Sequence, residues 1–205
     1  MMRRAIDLLV AAIALPLAAP LGALLALAIR LDSPGNPLYG GWRVGKDGRR
    51  FRMWKFRTMV ADADRVGPGI TGKRDARITR VGALLRRTKL DELPQLINLL
   101  TGELTLVGPR AEVPDIVARF TPEQRAVLSV KPGITGPGQI FYTTDQADAI
   151  PEGVAADDYY VEHLLGPKIA IDLDYLRTRT VGSDLKMVGS TFGLMLRALL
   201  GRVAE

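Results

Sequence analysis

The sequence predicts an α-rich α/β fold: a re-entrant N-terminal membrane helix-hairpin, then a compact, mainly helical cytoplasmic domain with a small β element and interfacial amphipathic helices. Three observations predict it. Leu8 to Ile29 is an uncharged apolar run interrupted by Pro16 and Pro20, Phe51 to Met59 alternates basic and apolar residues, and apolar positions recur at helical spacing further on. Within 205 residues this gives residues 1–31 as a membrane anchor and 32–205 as one domain ending in an amphipathic interfacial helix.

At about 1.5 Å per residue the apolar run reaches roughly 33 Å, against a hydrocarbon core of roughly 30 Å. Pro16 and Pro20 each remove an amide donor and crowd the carbonyl four residues back, at Ala12 and Pro16, so a kink or break is expected there. Each half then spans about 18 Å, enough to enter one leaflet and return. Arg3 and Arg4 precede the run, and Arg30, Arg43, Lys46, Arg49, Arg50 and Arg52 follow it. Cations at both ends draw both to the cytoplasmic side, which a hairpin satisfies and a straight span does not. A straight span stays open as an alternative. So does a cleaved secretory signal ending in Ala26-Leu27-Ala28, although the run exceeds the usual ~7 to 15 residues.

The chain carries 28 basic and 22 acidic side chains, a formal net charge of +6 and a pI near 9.8. Such a surface suits anionic lipid, nucleic acid or anionic substrates. Only 6% of residues are aromatic, and the patterns of common nucleic-acid modules are missing, which argues against nucleic acid. No cysteine is present, which excludes disulfides and thiolate chemistry.

Asp32 to Gly41 reads as a turn-rich exit. Phe51 to Met59 reads as a half-buried strand on which Lys55 and Arg57 share a face that Arg52 does not; a solvated, charge-protected edge strand is the competing reading. Gly67 to Gly72 is a loop. From Ile78, the spacing of Val81, Leu84 and Leu85 predicts a helix with Arg80, Arg86 and Arg87 on its rim. Leu90-Asp91-Glu92-Leu93-Pro94 then reads as the entry to a short helix ended near Gly102, with Asp91 near the N-cap and Glu92 at the helix start. Free amides there favour ionised carboxylates and phosphate. Between Lys73 and Lys89 stand seven basic side chains and one acid, Asp75, so an anionic reactant is drawn toward this pair. Plain helix capping explains an isolated acidic pair equally well.

Leu106 to Arg110 is a rigid turn delivering one arginine, whose planar fork suits phosphate oxygens. A helix follows from about Glu112 to Phe120. Thr121-Pro122-Glu123-Gln124 is a capping box opening another. Lys131-Pro132-Gly133-Ile134-Thr135-Gly136-Pro137-Gly138 is a glycine turn whose amides can approach an anion. An acidic connector holds Asp145, Asp148, Glu152, Asp157 and Asp158. A final helix, capped by Ser183 with Asp184 in its first turn, carries the stripe Val188, Phe192, Met195, Leu196, Leu199 and Leu200, with Arg197 and Arg202 toward the tail. That stripe meets lipid, the core or a twin subunit in a homodimer; the sequence leaves these open. His163 stands alone, and no zinc-ligand spacing exists.

Taken in order, the apolar hairpin, Lys55-Phe56-Arg57-Thr58-Met59, Leu90 to Leu96, Val107 to Arg110, Lys131 to Gly136 and Asp184-Leu185-Lys186 resemble the bacterial sugar transferases, the monotopic phosphoglycosyl transferases. The resemblance implies transfer of a sugar-1-phosphate from a nucleoside diphosphate sugar, usually a UDP-sugar, to polyprenyl phosphate, at the inner membrane of a bacterium. By the same resemblance Asp91 is the nucleophile and forms an aspartyl phosphosugar, and Asp91 and Glu92 hold Mg²⁺. Lys55, Arg57, Arg86, Arg110 and Lys131 are the implied phosphate contacts, Asp172 and Thr135 support the site, and Pro16 and Pro20 form the hairpin break. The chain departs from the family at Ala19-Pro20, at Ala111 and at Gly136-Pro137-Gly138, which bears on anchoring and substrate choice. A nonenzymatic adaptor on anionic lipid is the alternative.

Overall fold

The computed structural model describes residues 2–63, 75–141, 150–151 and 154–199. Helix α1 (Met2–Asp32) stays helical through Pro16 and Pro20, so the break expected there is not seen. Each proline forfeits one backbone bond, and the surrounding Leu and Ala residues are strong helix formers that carry the winding past it. Only Asp7, Ala11 and Ile29 of α1 are buried. Leu9, Ile13, Leu17, Leu24, Leu27 and Leu31 are each more than half exposed.

Both ends of α1 are bonded into the rest of the chain. Near its start, Arg3 pairs with Asp184 at 2.7 Å. Arg4 donates to the carbonyls of Leu99 and Leu100, and buried Asp7 accepts from the Thr105 hydroxyl and the Leu106 amide. At its other end Ile29 packs with Phe56 and Leu85, and Asp32 accepts from the Val81 amide.

Strands β1 (Leu38–Val44) and β2 (Arg50–Phe56) form an antiparallel hairpin with Leu38 opposite Phe56 and Val44 opposite Arg50. β1 replaces the second half of the expected turn-rich exit. Arg52 lies outside, its guanidinium 4.7 Å from the centre of the Trp42 ring, so that position is a solvated edge. Helix α2 (Arg80–Thr88) is capped by the Thr79 side chain, which accepts from Gly82 N. A 3₁₀ turn, Leu90–Glu92, leads to α3 (Gln95–Thr101), which ends at Gly102 with φ +85. The end of α3 matches its expectation. Asp91 and Glu92, however, sit one turn ahead of α3, whose N-cap is Pro94. Fully buried Asn98 fastens α3 to β2, accepting from Trp54 N and donating to Arg52 O.

β3 (Thr105–Val107) and β4 (Gly133–Thr135) pair in parallel, an element without counterpart in the sequence expectations. Between them, α4 (Pro114–Ala118) is shorter than the stretch expected from Glu112 to Phe120. Thr121 and Gln124 exchange the bonds of a capping box, but the helix it opens is a 3₁₀ helix, Gln124–Ser129. After α5 (Pro137–Phe141), α6 (Ala156–Tyr159) continues through a π-helical turn into α7 (Gly166–Thr178). The main core gathers Val44, Ile116, Phe120, Tyr160, Leu165 and Ile169.

Helix α8 (Val181–Leu199) begins earlier than expected, with Thr180 and Ser183 exchanging side-chain and backbone bonds at its start. Leu185, Phe192 and Leu196 are exposed along it, and Val188 is partly buried. The expectations at Gly67 to Gly72, Lys73, Arg74, Asp145, Asp148, Glu152, Leu200 and Arg202, and on the side chains of Met195, Arg197 and Leu199, lie outside the described residues and side chains.

Candidate functional site

The 3₁₀ turn brings Asp91 and Glu92 to the end of β2. Lys55 Nζ lies 2.7 Å from Glu92 Oε1 and 3.8 Å from Asp91 Oδ2. Arg110, delivered by the turn after β3, places Nη2 3.2 Å from the same Glu92 oxygen. It is steadied by Gln139 of α5, whose Oε1 accepts from Nη1 at 2.9 Å. Two segments far apart in sequence thus bring cations to the acidic pair, and a third steadies one of them.

The two carboxylates are compensated unequally. Burial pushes Glu92 up, but Lys55 and Arg110 together outweigh it and hold its carboxyl well below the usual range. Burial also pushes Asp91 up, and here it wins against Lys55, so the Asp91 carboxyl lies above its ordinary value. The free helix-start amides expected beside Asp91 are not available to it: the neighbouring amides of Glu92 and Leu93 are spent on Lys89 and Leu90 carbonyls. Asp91 Oδ1 is buried and has no hydrogen-bond partner. Side by side stand a clamped Glu92, held in its charged form by two cations, and an open Asp91, an arrangement suited to attack on an electrophilic phosphorus or to metal ligation.

Other expected site residues lie elsewhere. Arg86 is near enough to pull on Asp91 electrostatically, while its Nε donates to Thr58. Arg57 is a buried clasp that donates to the Ser33 hydroxyl and to the carbonyls of Ser33, Asn36 and Met59, joining the exit of α1 to β2; these bonds occupy the fork expected to hold phosphate. Lys131 stands with Arg4 over the end of α3, each near the point where a Cβ on Gly102 would lie. Thr135 pairs its hydroxyl with Thr191, tying β4 to α8.

Asp172 is buried in α7 and accepts from the Gly138 amide at 2.9 Å. Burial pushes its carboxyl up to about 6, against the pull of that amide and of Lys168. Beside it, Glu112 holds Lys168 at 3.0 Å and the Tyr160 hydroxyl at 2.6 Å. The glycines expected to cradle an anion serve close packing: a Cβ on Gly133 would fall 2.1 Å from Gly108 N, and one on Gly136 2.2 Å from Gly108 O. His163 stacks on Tyr159 at the surface.

Sequence reasoning passed over Gln139, Arg43 and the Glu112, Lys168 and Tyr160 group. Arg43 lies in the same field, its guanidinium pKa lowered by burial and by Arg110. A neutral glutamine carries no charge pattern that would mark it.

Among the described residues no three His, Cys, Asp or Glu side chains converge to hold a metal by themselves. Mg²⁺ asks less, since one or two carboxylates and substrate phosphates suffice. The unpartnered Asp91 oxygen, with Glu92 adjacent, fits that requirement.

A family model described as bacterial sugar transferase matches residues 1–198. A UDP-glucose:undecaprenyl-phosphate glucose-1-phosphate transferase of Caulobacter vibrioides is 38% identical over 95% of this chain and 69% of its own length. A protein of the same description from Escherichia coli is 37% identical over 92% of this chain and 39% of its own. An exopolysaccharide production protein of Rhizobium leguminosarum is 39% identical over 78% of this chain and 85% of its own. The chain thus spans about two fifths of the Escherichia coli relative.

Proposed function

Because the chain belongs to the bacterial sugar transferase family, we propose that it transfers a sugar-1-phosphate from a UDP-sugar to polyprenyl phosphate, yielding polyprenyl-diphosphate-sugar and UMP. The observation that carries the reading is the open Asp91 oxygen beside a Glu92 neutralised by Lys55 and Arg110. Asp91 attacks the phosphorus next to the sugar, and the bond to the bridging oxygen breaks, leaving its electron pair with UMP. A polyprenyl phosphate oxygen then attacks the same phosphorus and frees Asp91. Lys55 and Arg110 hold Glu92 in place and keep the surroundings positive as the diphosphate enters. Asp91 and Glu92 would hold Mg²⁺, which supplies charge neutralisation on the diphosphate.

We also propose that α1 enters the bacterial inner membrane from the cytoplasmic face and returns, bending at Pro16 and Pro20. In support, both ends of α1 are bonded to one domain, while Leu17 and Leu24 between them are exposed. The apolar residues Leu185, Phe192 and Leu196 of α8 rest on the same surface in this reading. The chain has no cysteine, so Met2→Cys and Asn36→Cys can be labelled singly in cells. Both are expected to be shielded from an impermeant reagent added outside; labelling of one alone means a single crossing.

The decisive assay is UMP release from a panel of UDP-sugars in detergent with Mg²⁺ and polyprenyl phosphate. Label from the sugar phosphate is expected on the wild-type protein without acceptor, and none on Asp91→Asn. Turnover without any labelled protein would mean direct transfer, and full function in Asp91→Asn would mean an adaptor.

A further inference from the structure

Among the described residues only two buried side-chain nitrogen or oxygen atoms lack a hydrogen-bond partner, Asp91 Oδ1 and Gln95 Nε2. One is an acceptor and the other a donor, and they share one winding of the chain. Bonds from Leu93 N to Leu90 O, Leu96 N to Leu93 O and Ile97 N to Pro94 O carry the backbone from the 3₁₀ turn into α3. Gln95 therefore stands one turn beyond the acidic pair. It is only 1% exposed, so water does not reach its amide from the surface.

The next amide on α3 supplies the contrast. Asn98 is equally buried, yet its oxygen accepts from Trp54 N and its nitrogen donates to Arg52 O and to Glu103. One helix therefore satisfies both ends of one amide and leaves the nitrogen of the other without a partner, one turn from the acidic pair. A buried donor without a partner is rare in folded proteins and calls for a specific cause.

We propose that Gln95 is a further catalytic residue, whose Nε2 donates a hydrogen bond to a non-bridging oxygen of the phosphoryl group that Asp91 attacks. This rests on the transfer reading above. As the bond from Asp91 to phosphorus forms and the bond to the bridging oxygen breaks, the leaving nucleotide takes the electron pair and no proton moves. Charge spread over the non-bridging oxygens is stabilised by a fixed donor held away from water. A neutral amide suits the position, because it donates to a phosphoryl oxygen without bringing a further charge into the interior.

The test uses the full chain in detergent with UDP-glucose and the other UDP-sugars as labelled donors, Mg²⁺ present and lipid acceptor absent. Gln95→Met keeps the shape and removes the donor. It is expected to keep the wild-type thermal midpoint or exceed it, to label about 10- to 100-fold more slowly, and to leave the half-saturating donor concentration within about twofold. Labelling at the wild-type rate, or a slow rate matched by a lowered thermal midpoint, would overturn the proposal. Should Gln95→Met fail to fold, Gln95→Glu decides: it differs from the native side chain by one polar group, offers an acceptor instead of a donor, and is expected to be slower at least to the same extent. A wild-type rate in Gln95→Glu overturns the proposal. Asp91→Asn runs in parallel; label on that variant, or on no protein at all, overturns the covalent reading and this inference together. Label lost in Asp91→Asn but unchanged in Gln95→Met overturns the role of Gln95 alone.

Discussion

Two buried clusters in this protein are built on the same plan, a clamped glutamate beside an aspartate. Beside β2, Glu92 is clamped by Lys55 and Arg110 and held well below the usual carboxylate range, while neighbouring Asp91 is pushed up by burial. Under the loop that leads into α5, Glu112 is clamped by Lys168 and Tyr160 and is likewise lowered, while neighbouring Asp172 is pushed up by burial to about 6. Apart from the second clamp, an arginine in one and a tyrosine in the other, the difference lies at one oxygen. Asp172 spends Oδ1 on the Gly138 amide, whereas Asp91 Oδ1 has no partner. Burial and shifted pKa values alone therefore do not tell the two aspartates apart; the proposed role of Asp91 rests on its unfilled acceptor in a field of cations.

Substitutions that act oppositely on the two clusters sharpen the comparison. The largest effect is expected from Asp91→Asn, which should lower UMP release by about 10³-fold or more, as loss of a nucleophile does. Its thermal midpoint should hold or rise, since a buried charge with an open oxygen is removed. Lys168→Met should do the reverse. It strands Glu112 in the interior and is expected to cost about 3 to 5 kcal/mol in a denaturant titration, because breaking a buried pair leaves an uncompensated charge. Equal stability in wild type and Lys168→Met would show that this cluster holds nothing together.

Arg110→Ala comes next, with kcat expected to fall about 10- to 100-fold as Glu92 loses one of its two clamps. Asp172→Asn should have the smallest effect, and one that depends on pH. The native carboxyl binds its proton up to about 6, the unfolded one only to about 3.8. Between those values the native state holds more protons, so wild-type stability falls as pH rises through the window. The amide variant keeps an acceptor for Gly138 and lacks that loss. It should exceed wild type by on the order of 1 to 3 kcal/mol at pH 8 and match it near pH 4.

Parts of the site were legible along the chain because they are local. Adjacent acids after a basic run stand out in any reading, and Lys55 and Arg110 each sit in a short conspicuous motif. Arg57 and Lys131 looked equivalent to them by charge. Arg57 is instead committed to the backbone oxygens of Ser33, Asn36 and Met59, and Lys131 lies with Arg4 at the far end of α3. Gln139 left no trace, and Gln95 stood only as a member of the Leu90 to Leu96 motif with no role attached, since a neutral amide reveals its role only through what does or does not bond to it. The parallel pair β3 and β4 is too short for alternation to register, three residues on each side.

By itself the sequence determined the apolar α1, the Thr121 and Gln124 capping box, the end of α3 at Gly102 and the acidic pair, all patterns of residues within a few positions of one another. Only the tertiary structure decided which cations reach Glu92, which oxygen of Asp91 stays open, and that both ends of α1 fasten to one domain. The physical reason is range. Helix propensity and capping act across one turn, whereas charge compensation and burial depend on distances between segments that meet only once the chain has folded.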